Sequence, residues 1–372
     1  HDMPMHDMPM HDRPMHDMPM HDMPMHDMPM HGTSMDDMPM HDMPMHGASM
    51  HDTSMHDMPG QGMSGQGMSH SSPAAPGRGG GHGGATPAPS TTQHTGMTSM
   101  VMDLNDIDFD AYLANERTLA DPLVVRTERK GRIRLRLING ASASAFWIDL
   151  GALDGTIVAV DGNAVKHISS RRFPMAQGQR VDVIVQMPAH GGAYPVLAQR
   201  EGDRQLTGII LATPGASVAR VAALARHAVP AVDLSLEQHL RAANPLASRA
   251  VDVVHQVALG GTMQPYRWSI NGRVWGDHQA LTVTQGQRIA LDIVNRSQMA
   301  HPMHLHGHHF QVVALNGHAV AGAMRDTVLV PANGSVRVAF DADNPGRWLF
   351  HCHNLYHMET GMMTEVAYTG FA

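Results

Sequence analysis

The sequence of 372 residues predicts an all-β fold in which one Greek-key sandwich or barrel is built twice, behind a disordered tail. Three observations support this prediction. From Val101 onward the chain consists of short β-like runs separated by Gly, Asn and Pro, a texture typical of Greek-key domains. These runs occur twice in the same order. Before Val101 there are almost no branched aliphatic or aromatic residues, so that part of the chain cannot form a hydrophobic core.

The first hundred residues divide into a repeat and a linker. Residues 1–60 read as twelve pentads of the form HDMPM, with variants such as HGTSM, and the Pro in most pentads excludes both helix and central strand. Residues 61–99 are rich in Gly, Ser and Pro, the composition of a flexible linker. Thioether and imidazole groups recur throughout the repeat, where Ser or Gly would serve a spacer equally well. We therefore interpret the repeat as a tail that captures soft metal ions such as Cu(I), rather than as a spacer alone.

Composition excludes several classes of protein. The formal net charge is −8 and the basic residues are scattered, which argues against a nucleic-acid partner. No apolar run is long enough to cross a bilayer, so we expect no membrane span. The single cysteine excludes a disulfide framework, and its thiol is left to be explained by reactivity or by metal binding.

The internal duplication predicts two domains, at residues 100–228 and 229–372. Both contain runs that alternate polar with apolar residues, the period of a half-buried strand. An Ala/Leu-rich connector near residues 215–250 is a candidate helix. The matching segments are KGRIRLRLING…TIVAVDGNAV (130–165) with QGQRIALDIVN…QVVALNGHAV (285–320), and AQGQRVDVIVQMP (176–188) with PANGSVRVAFDAD (331–343).

The two copies differ in their content of metal-binding side chains. Between matching strands the first copy has SASAFWIDL (142–150), whereas the second has AHPMHLHGHHF (300–310). Near the end, YPVLAQ (194–199) in the first copy corresponds to WLFHCH (348–353) in the second. Because the same scaffold occurs without these histidines, the fold does not require them. They indicate a metal site in the second copy.

Strand alternation separates these side chains into two groups. Residues two apart on a strand share a face, and the residue between them points the other way. In HCH, Cys352 therefore faces one side while His351 and His353 face the other, and in HLH the side chains of His304 and His306 share a face. Four imidazoles can thus converge on one site, and the thiol points into another.

The thiol site can be completed by His301, His357 and Met362, which are free to join Cys352. One thiolate, two imidazoles and a weak thioether form the ligand set of a blue copper centre, and an all-imidazole site beside it suits coppers that bind dioxygen. The bonds from Cys352 to its two neighbouring histidines, His351 and His353, would provide an electron path between the sites.

The segments HPMHLHG (301–307) and HCHNLYHMETGMM (351–363) resemble the C-terminal copper motifs of multicopper oxidases, and most closely those of bacterial periplasmic copper-resistance and cuprous oxidases. The resemblance covers residues 101–372 as the second and third cupredoxin domains. It implies that electrons enter at a type 1 copper and that dioxygen is reduced to water at a trinuclear cluster. The implied ligands are His301, Cys352, His357 and Met362 for type 1 copper, His304 for type 2 copper, and His306, His351 and His353 for the type 3 pair.

The chain departs from the family in its number of ligands. A complete trinuclear cluster in this family takes eight histidines, and the motifs here supply four. We expect the others in a first cupredoxin domain that precedes residue 1, since the chain begins in mid-repeat without an initiator Met or a signal peptide. The chain as given is expected to form the type 1 site but not the oxygen-reducing cluster. By the resemblance, the complete protein is periplasmic.

The expected reaction is the oxidation of Cu(I) to Cu(II) coupled to the reduction of dioxygen, in copper resistance. His301 or His357, whichever presents an exposed edge, is expected to pass the electron to the type 1 copper. Met299 is similar to a methionine that receives Cu(I) in cuprous oxidases. Two alternatives remain: a laccase-like oxidase of phenols, and a non-enzymatic protein that carries or stores copper.

Some of these residues also have simpler interpretations. Met362 and Met299 can be apolar core residues, because Met commonly fills gaps in cores. Asp326, in MRDTV, either orients a copper-binding imidazole or begins a strand. His308 and His309 have no ligand role in the family, and we expect them in solvent or beside the ligands.

Overall fold

The computed structural model describes residues 104–371, which belong to one compact unit of the chain. These residues are almost entirely strands and loops, so the all-β prediction is confirmed. The predictions for the repeat (1–60) and the linker (61–99) lie outside the described residues. Within residues 104–371, no helix combines the length and the apolar character needed to cross a bilayer.

The first copy forms two facing sheets. One has the strand order β1-β9-β8-β3-β6 and the other the order β2-β7-β4-β5. In RIRLRLI the arginines are exposed while Leu135 is buried, which confirms the half-buried strand that the alternation predicts. In chain order the strands are β1 (Val124–Arg126), β2 (Arg132–Ile138), β3 (Phe146–Asp149), β4 (Gly155–Val160), β5 (Asn163–Ser170), β6 (Arg172–Met175), β7 (Arg180–Gln186), β8 (Ala193–Arg200) and β9 (Leu206–Ala212).

The second copy contains twelve strands and one short helix. The predicted strand region 282–295 forms two strands separated by a turn. In chain order the elements are β10 (Val253–Met263), β11 (Tyr266–Ile270), β12 (Leu281–Val283), β13 (Arg288–Asn295), β14 (His301–Leu305), β15 (Phe310–Leu315), β16 (His318–Ala319), β17 (Met324–Arg325), β18 (Thr327–Val330), β19 (Ser335–Asp341), β20 (Arg347–Cys352), α1 (Leu355–Glu359) and β21 (Met363–Tyr368).

Strand order confirms the duplication. The sheet β12-β21-β20-β14-β18 repeats the order β1-β9-β8-β3-β6, and in both sheets the first strand is parallel to the last one of the copy. The path β13-β19-β15-β16 likewise repeats β2-β7-β4-β5, with β10 and β11 added at its edge. The domain limits at residues 228 and 229 stay a prediction.

The prediction of a helix near residues 215–250 was wrong. This connector consists of turns and irregular backbone, with isolated bridges to the strands. Its apolar side chains pack into both hydrophobic cores: Val232 and Leu234 enter the core of the second copy, while Leu236 and Leu240 enter that of the first. A helix with a single apolar face could not supply both cores over so few residues.

Two neighbouring strands carry the histidine segments through the middle of a sheet. Strand β14 lies between β18 and β20, and its antiparallel register with β20 places Met303 opposite Cys352 and His304 opposite His351. Directly opposite residues share a face. One face of this strand pair therefore carries the thiol into the core, and the other carries the imidazoles of His304 and His351.

Candidate metal centre

A thiol cluster, formed by His301, Cys352 and His357, lies in the core of the second copy. All three side chains have no solvent-exposed surface. His301 begins β14 and Cys352 ends β20, while His357 is carried by α1. The side chain of Asn354 caps that helix by accepting a hydrogen bond from the Tyr356 amide. This short helix folds the third ligand back over the other two.

The donor atoms of the thiol cluster form a small triangle. Sγ of Cys352 lies 3.7 Å from Nδ1 of His301 and 3.7 Å from Nδ1 of His357, and the two nitrogens are 3.0 Å apart. A point equidistant from the three atoms would lie ~2.0 Å from each, close to the length of a transition-metal bond to imidazole nitrogen and slightly short for one to sulfur. The cluster is therefore shaped to hold one metal ion.

An acidic residue outside the motifs supports the thiol cluster. Oδ2 of Asp106 lies 3.2 Å from Nε2 of His357, the nitrogen that faces away from the triangle. Asn354 and the hydroxyl of Tyr266 each donate a hydrogen bond of 2.6 Å to the same carboxylate. Burial opposes ionisation of Asp106, but His357, Tyr266 and Asn354 together lower its pKa to about 2. An ionised carboxylate here favours the tautomer of His357 that presents Nδ1 to a metal.

Neither histidine of the thiol cluster has an exposed edge, contrary to the expectation for electron entry. Nε2 of His301 lies 2.7 Å from Oγ of Ser297, and the ring of Trp268 covers both imidazoles, with centroids 4.1 Å from His357 and 5.1 Å from His301. Trp268 is itself 2% exposed. The site is consequently dry, and any electron donor must act through the groups that cover the two rings.

Burial also sets the charge of the cluster. It raises the pKa of the Cys352 thiol far above its usual range and holds the pKa of His301 well below its own. Without a cation these groups are neutral. A bound metal ion reverses this preference for the thiol, because a coordinating thiol is deprotonated. The groups thus suit a metal that prefers thiolate and neutral imidazole.

Met362 and Met299 lie close to residues of this cluster: Met362 through backbone hydrogen bonds, and Met299 two positions before His301 in the chain. Met362 is fully buried, and its backbone exchanges hydrogen bonds with Cys352 and His357, at 3.0 Å and 2.9 Å. Met299 is 8% exposed, and its carbonyl accepts a hydrogen bond from the side chain of Asn295. Both positions fit either a ligand or a core residue, so axial ligation by Met362 and Cu(I) docking at Met299 stay predictions.

A second group, the imidazole cluster, consists of His304, His306 and His351 on the opposite face of the same strands. One ring nitrogen from each lies within 4.8 Å of the others, and Nε2 of His306 is 3.0 Å from Nε2 of His351. Burial and the neighbouring imidazoles lower the pKa of His306, and burial lowers that of His351 to about 4. The rings of His306 and His351 are therefore neutral at physiological pH, the form that binds metals.

His353 lies beside the imidazole cluster rather than within it. Its ring centroid is 5.8 Å from that of His304 and 6.0 Å from that of His351. Gly178 of the first copy packs against this ring, since a Cβ built on Gly178 would lie 2.4 Å from Cδ2 of His353. Three of the four expected imidazoles thus converge, and the fourth is held next to them by the other half of the molecule.

Asp326 lies behind the imidazole cluster. Its backbone oxygen is 2.9 Å from Nδ1 of His304, and its carboxylate is 3.5 Å from the same atom. Arg180 donates two hydrogen bonds to the carboxylate. Burial opposes ionisation, but these bonds hold the pKa of Asp326 well below its usual range. Asp326 also precedes β18, so both interpretations of this residue describe its position.

His308 and His309 occupy the surroundings of the imidazole cluster. His308 is buried, with Nε2 2.6 Å from the hydroxyl of Tyr368 and Nδ1 3.2 Å from the backbone oxygen of His306. His309 is half exposed, and Nε2 lies 3.7 Å from Asp326. Neither belongs to the two clusters found among the described residues.

Sequence reasoning missed Asp106, Trp268, Arg180 and Gly178. Asp106 is one of several acidic residues in DLNDIDFD, and nothing in that run distinguishes it. The other three gain their roles only when distant segments pack together. Within the motifs, the alternation correctly separated thiol from imidazoles.

Fold and site together define a copper protein of the cupredoxin type: a duplicated Greek-key fold carries a cysteine–histidine site and an all-imidazole site on opposite faces of one strand pair. Two family models, both described as multicopper oxidase, match residues 80–216 and 250–370. The chain belongs to the multicopper oxidase family, whose members use copper.

Several known proteins are similar to this chain. Multicopper oxidase MmcO from Mycobacterium tuberculosis is 35% identical over 268 residues, which are 72% of this chain and 52% of that protein. Copper resistance protein A from Escherichia coli is 36% identical over 111 residues, 30% of this chain and 18% of that protein. The crystal structure of a multi-copper oxidase from Pseudomonas thermotolerans superposes with a TM-score of 0.52 and 25% identity, covering 67% of this chain and 57% of that one. The chain spans about half the length of MmcO.

Proposed function

We propose that this chain is part of a periplasmic oxidase that converts Cu(I) to Cu(II) and reduces dioxygen to water, as a protection against copper. The observation that carries the proposal is the position of Cys352 and His351. Adjacent in the chain, they belong to two different clusters, so one peptide link joins the thiol site to the imidazole site. This arrangement suits a protein that accepts electrons at one site and uses them at another.

The residues of the two clusters have different tasks. His301, Cys352 and His357, together with Met362, would hold type 1 copper. His304 would hold type 2 copper, and His306, His351 and His353 would hold the type 3 pair. Bound copper would supply one-electron chemistry at the thiol cluster and the reduction of dioxygen at the imidazole cluster. The chain keeps the imidazoles of His306 and His351 neutral, excludes water from the thiol and provides a bonded path from Cys352 to its two neighbours.

The oxygen-reducing cluster needs imidazoles beyond those of the two motifs. We propose that a further cupredoxin domain of the complete protein provides them, consistent with the share of MmcO that this chain spans. The HDMPM repeat would gather Cu(I), and Met299 would receive it close to His301. The similarity to a protein named copper resistance protein A supports a role in copper resistance.

The test separates electron entry from oxygen reduction. The copper-loaded chain is mixed with Cu(I) without oxygen, and the blue absorption of the thiol site is followed. Cu(I) should bleach it, giving one Cu(II) for each site reduced. In a form of the protein that includes the further domain, oxygen uptake should follow, with four Cu(I) oxidised and four protons consumed for each dioxygen converted to two waters. Absence of bleaching by Cu(I) would contradict the proposal.

The same experiment distinguishes the two alternatives. A phenol oxidase would be bleached by phenols in the absence of added copper as fast as in its presence. A protein that carries or stores copper would bind Cu(I) without bleaching and would take up no oxygen. The burial of His301 and His357 favours a small electron donor over a bulky phenol, because neither ring has an exposed edge that a phenol could contact.

A further inference from the structure

Arg180, a residue of the first copy, is hydrogen-bonded directly to Asp326, which lies behind the imidazole cluster. Arg180, at the start of β7, donates to both oxygens of Asp326, with Nη1–Oδ1 and Nη2–Oδ2 distances of 2.6 Å and 2.5 Å. This two-pronged geometry holds a carboxylate in one orientation. Of these two oxygens, Oδ1 lies 3.5 Å from Nδ1 of His304 and accepts a hydrogen bond from the Thr327 hydroxyl, whose oxygen is 3.0 Å from the same nitrogen.

Arg180 reaches a second histidine through the backbone. Its Nη1 also donates to the carbonyl of Gly178, at 3.0 Å. Gly178 has a φ of +79° and packs directly against the ring of His353. One guanidinium group therefore stabilises both the carboxylate behind His304 and the turn that rests on His353.

Arg180 is also linked to a buried carboxylate. Its backbone amide donates to Oδ1 of Asp161 at 2.9 Å, its Nη1 lies 3.7 Å from the same oxygen, and the Asp161 carboxylate is fully buried. The other oxygen of Asp161 accepts from Arg325, which is paired in turn with Glu237 of the connector. Charges with this many partners have few alternative arrangements. These contacts limit the positions that Arg180 can take.

The fold does not need an arginine at this position. In the duplication Arg180 corresponds to Ser335, the first residue of β19, and Gly178 corresponds to Asn333, which also has a positive φ of 55°. The second copy thus builds the same turn and strand without a guanidinium. Arg180 is present where the imidazoles of the other copy lie opposite the turn.

We propose that Arg180 is a positioning residue for the imidazole cluster: it orients His304 through Asp326 and His353 through Gly178. The first copy would then contribute to the copper site by orienting its histidines, although it provides no ligand. The proposal rests on copper binding at the imidazole cluster, which is part of the proposed function, but not on the identity of the substrate or on oxygen reduction.

The experiment compares copper binding in three single variants of the full chain and in the double variant of Arg180→Gln with Asp326→Asn. The clamp is the pair of hydrogen bonds between Arg180 and Asp326. Arg180→Gln and Asp326→Asn each remove the charge of one partner, and the new side chains are similar in shape to the old ones. Arg134→Gln is the matched control, because Arg134 also pairs with an aspartate, Asp182, across β2 and β7, but at an exposed site away from the histidines. Copper per chain and the paramagnetic resonance signal of imidazole-bound Cu(II) report on the imidazole cluster. The blue absorption of the thiol site reports on the fold of the same sample.

Arg180→Gln and Asp326→Asn should each weaken copper binding at the imidazole cluster by ~10-fold or more and change its resonance signal, with the blue absorption unchanged. The double variant should lose little beyond either single one, because both remove the same clamp. Arg134→Gln should match the parent. The proposal is overturned if Arg180→Gln keeps the parental imidazole signal and affinity, or if it loses the blue absorption to the same extent. Failure of Cu(I) to bleach the parent would contradict only the proposed substrate.

Discussion

The carboxylate of Asp106 lies 3.2 Å from Nε2 of His357, although the two residues are 251 positions apart in the chain. The contact joins the segment that leads into the first copy to the thiol cluster of the second. It also explains how a histidine without solvent exposure keeps a defined ring orientation. The metal site thus depends on parts of the chain that carry no ligand.

Replacing Asp106 should therefore loosen the thiol cluster. Asp106→Asn removes the negative charge that orients His357, and we expect copper affinity at the thiol site to fall by ~10-fold, with a shifted blue absorption band. Competition with a calibrated copper chelator measures this affinity. Asp110→Asn, at an exposed position of the same segment, is the control. Equal affinities for the two variants would show that the contact does not orient the ligand.

Gly178→Ala should disturb the imidazoles and leave the thiol site intact. The new Cβ would overlap the His353 ring, and a positive φ adds backbone strain of ~1 kcal/mol. Gly162→Ala is a matched control, since Gly162 has a similar φ of +81° and a Cβ added there would meet no heavy atom within 4 Å. Denaturant unfolding should show comparable strain in both variants. Only Gly178→Ala should lose imidazole-bound copper, and equal copper contents would refute this account of the contact.

Met362→Leu distinguishes an axial ligand from a core residue. Leucine fills a similar volume, so the fold and the blue colour should persist. If the thioether binds the metal, its loss should raise the reduction potential of the thiol site, because a donor that stabilises Cu(II) is removed. Met187→Leu, in the buried core of the first copy, controls for repacking. A redox titration with no change in potential for Met362→Leu would assign this residue to the core.

Glu201 predicts a pH dependence of stability that is separate from the metal sites. Burial raises its pKa from 4.5 to about 7, although the Val232 amide donates to it at 2.8 Å. Because the folded state binds the proton more tightly, the stability gained is present below pH ~4.5 and lost as the pH rises through ~7. The free energy of unfolding, measured by urea denaturation across this range, should fall with rising pH. Glu201→Gln keeps the acceptor for Val232 and should lack that slope; an unchanged slope would exclude Glu201 as its source.

The motifs predicted the separation of the thiol from the imidazoles because this geometry is local. Alternation along a strand is enough to place Cys352 opposite to His351, and the duplication is enough to show that the fold does not need the histidines. The residues that orient the histidines could not be predicted in this way. Asp106 and Arg180 act across separations of 251 and 146 residues, which depend on how the two copies pack. The prediction of a helix in the connector was wrong for the same reason, because the side chains of this segment pack into both hydrophobic cores.

The most direct test of this account is the absorption spectrum of the copper-loaded chain and of its Cys352→Ser variant. The chain should develop an intense blue band, from a thiolate bound to copper in the buried cluster. The variant should lose that band while it still binds copper at His304, His306 and His351. A colourless copper-loaded parent, or a serine variant that stays intensely blue, would contradict the assignment of Cys352 as the copper ligand.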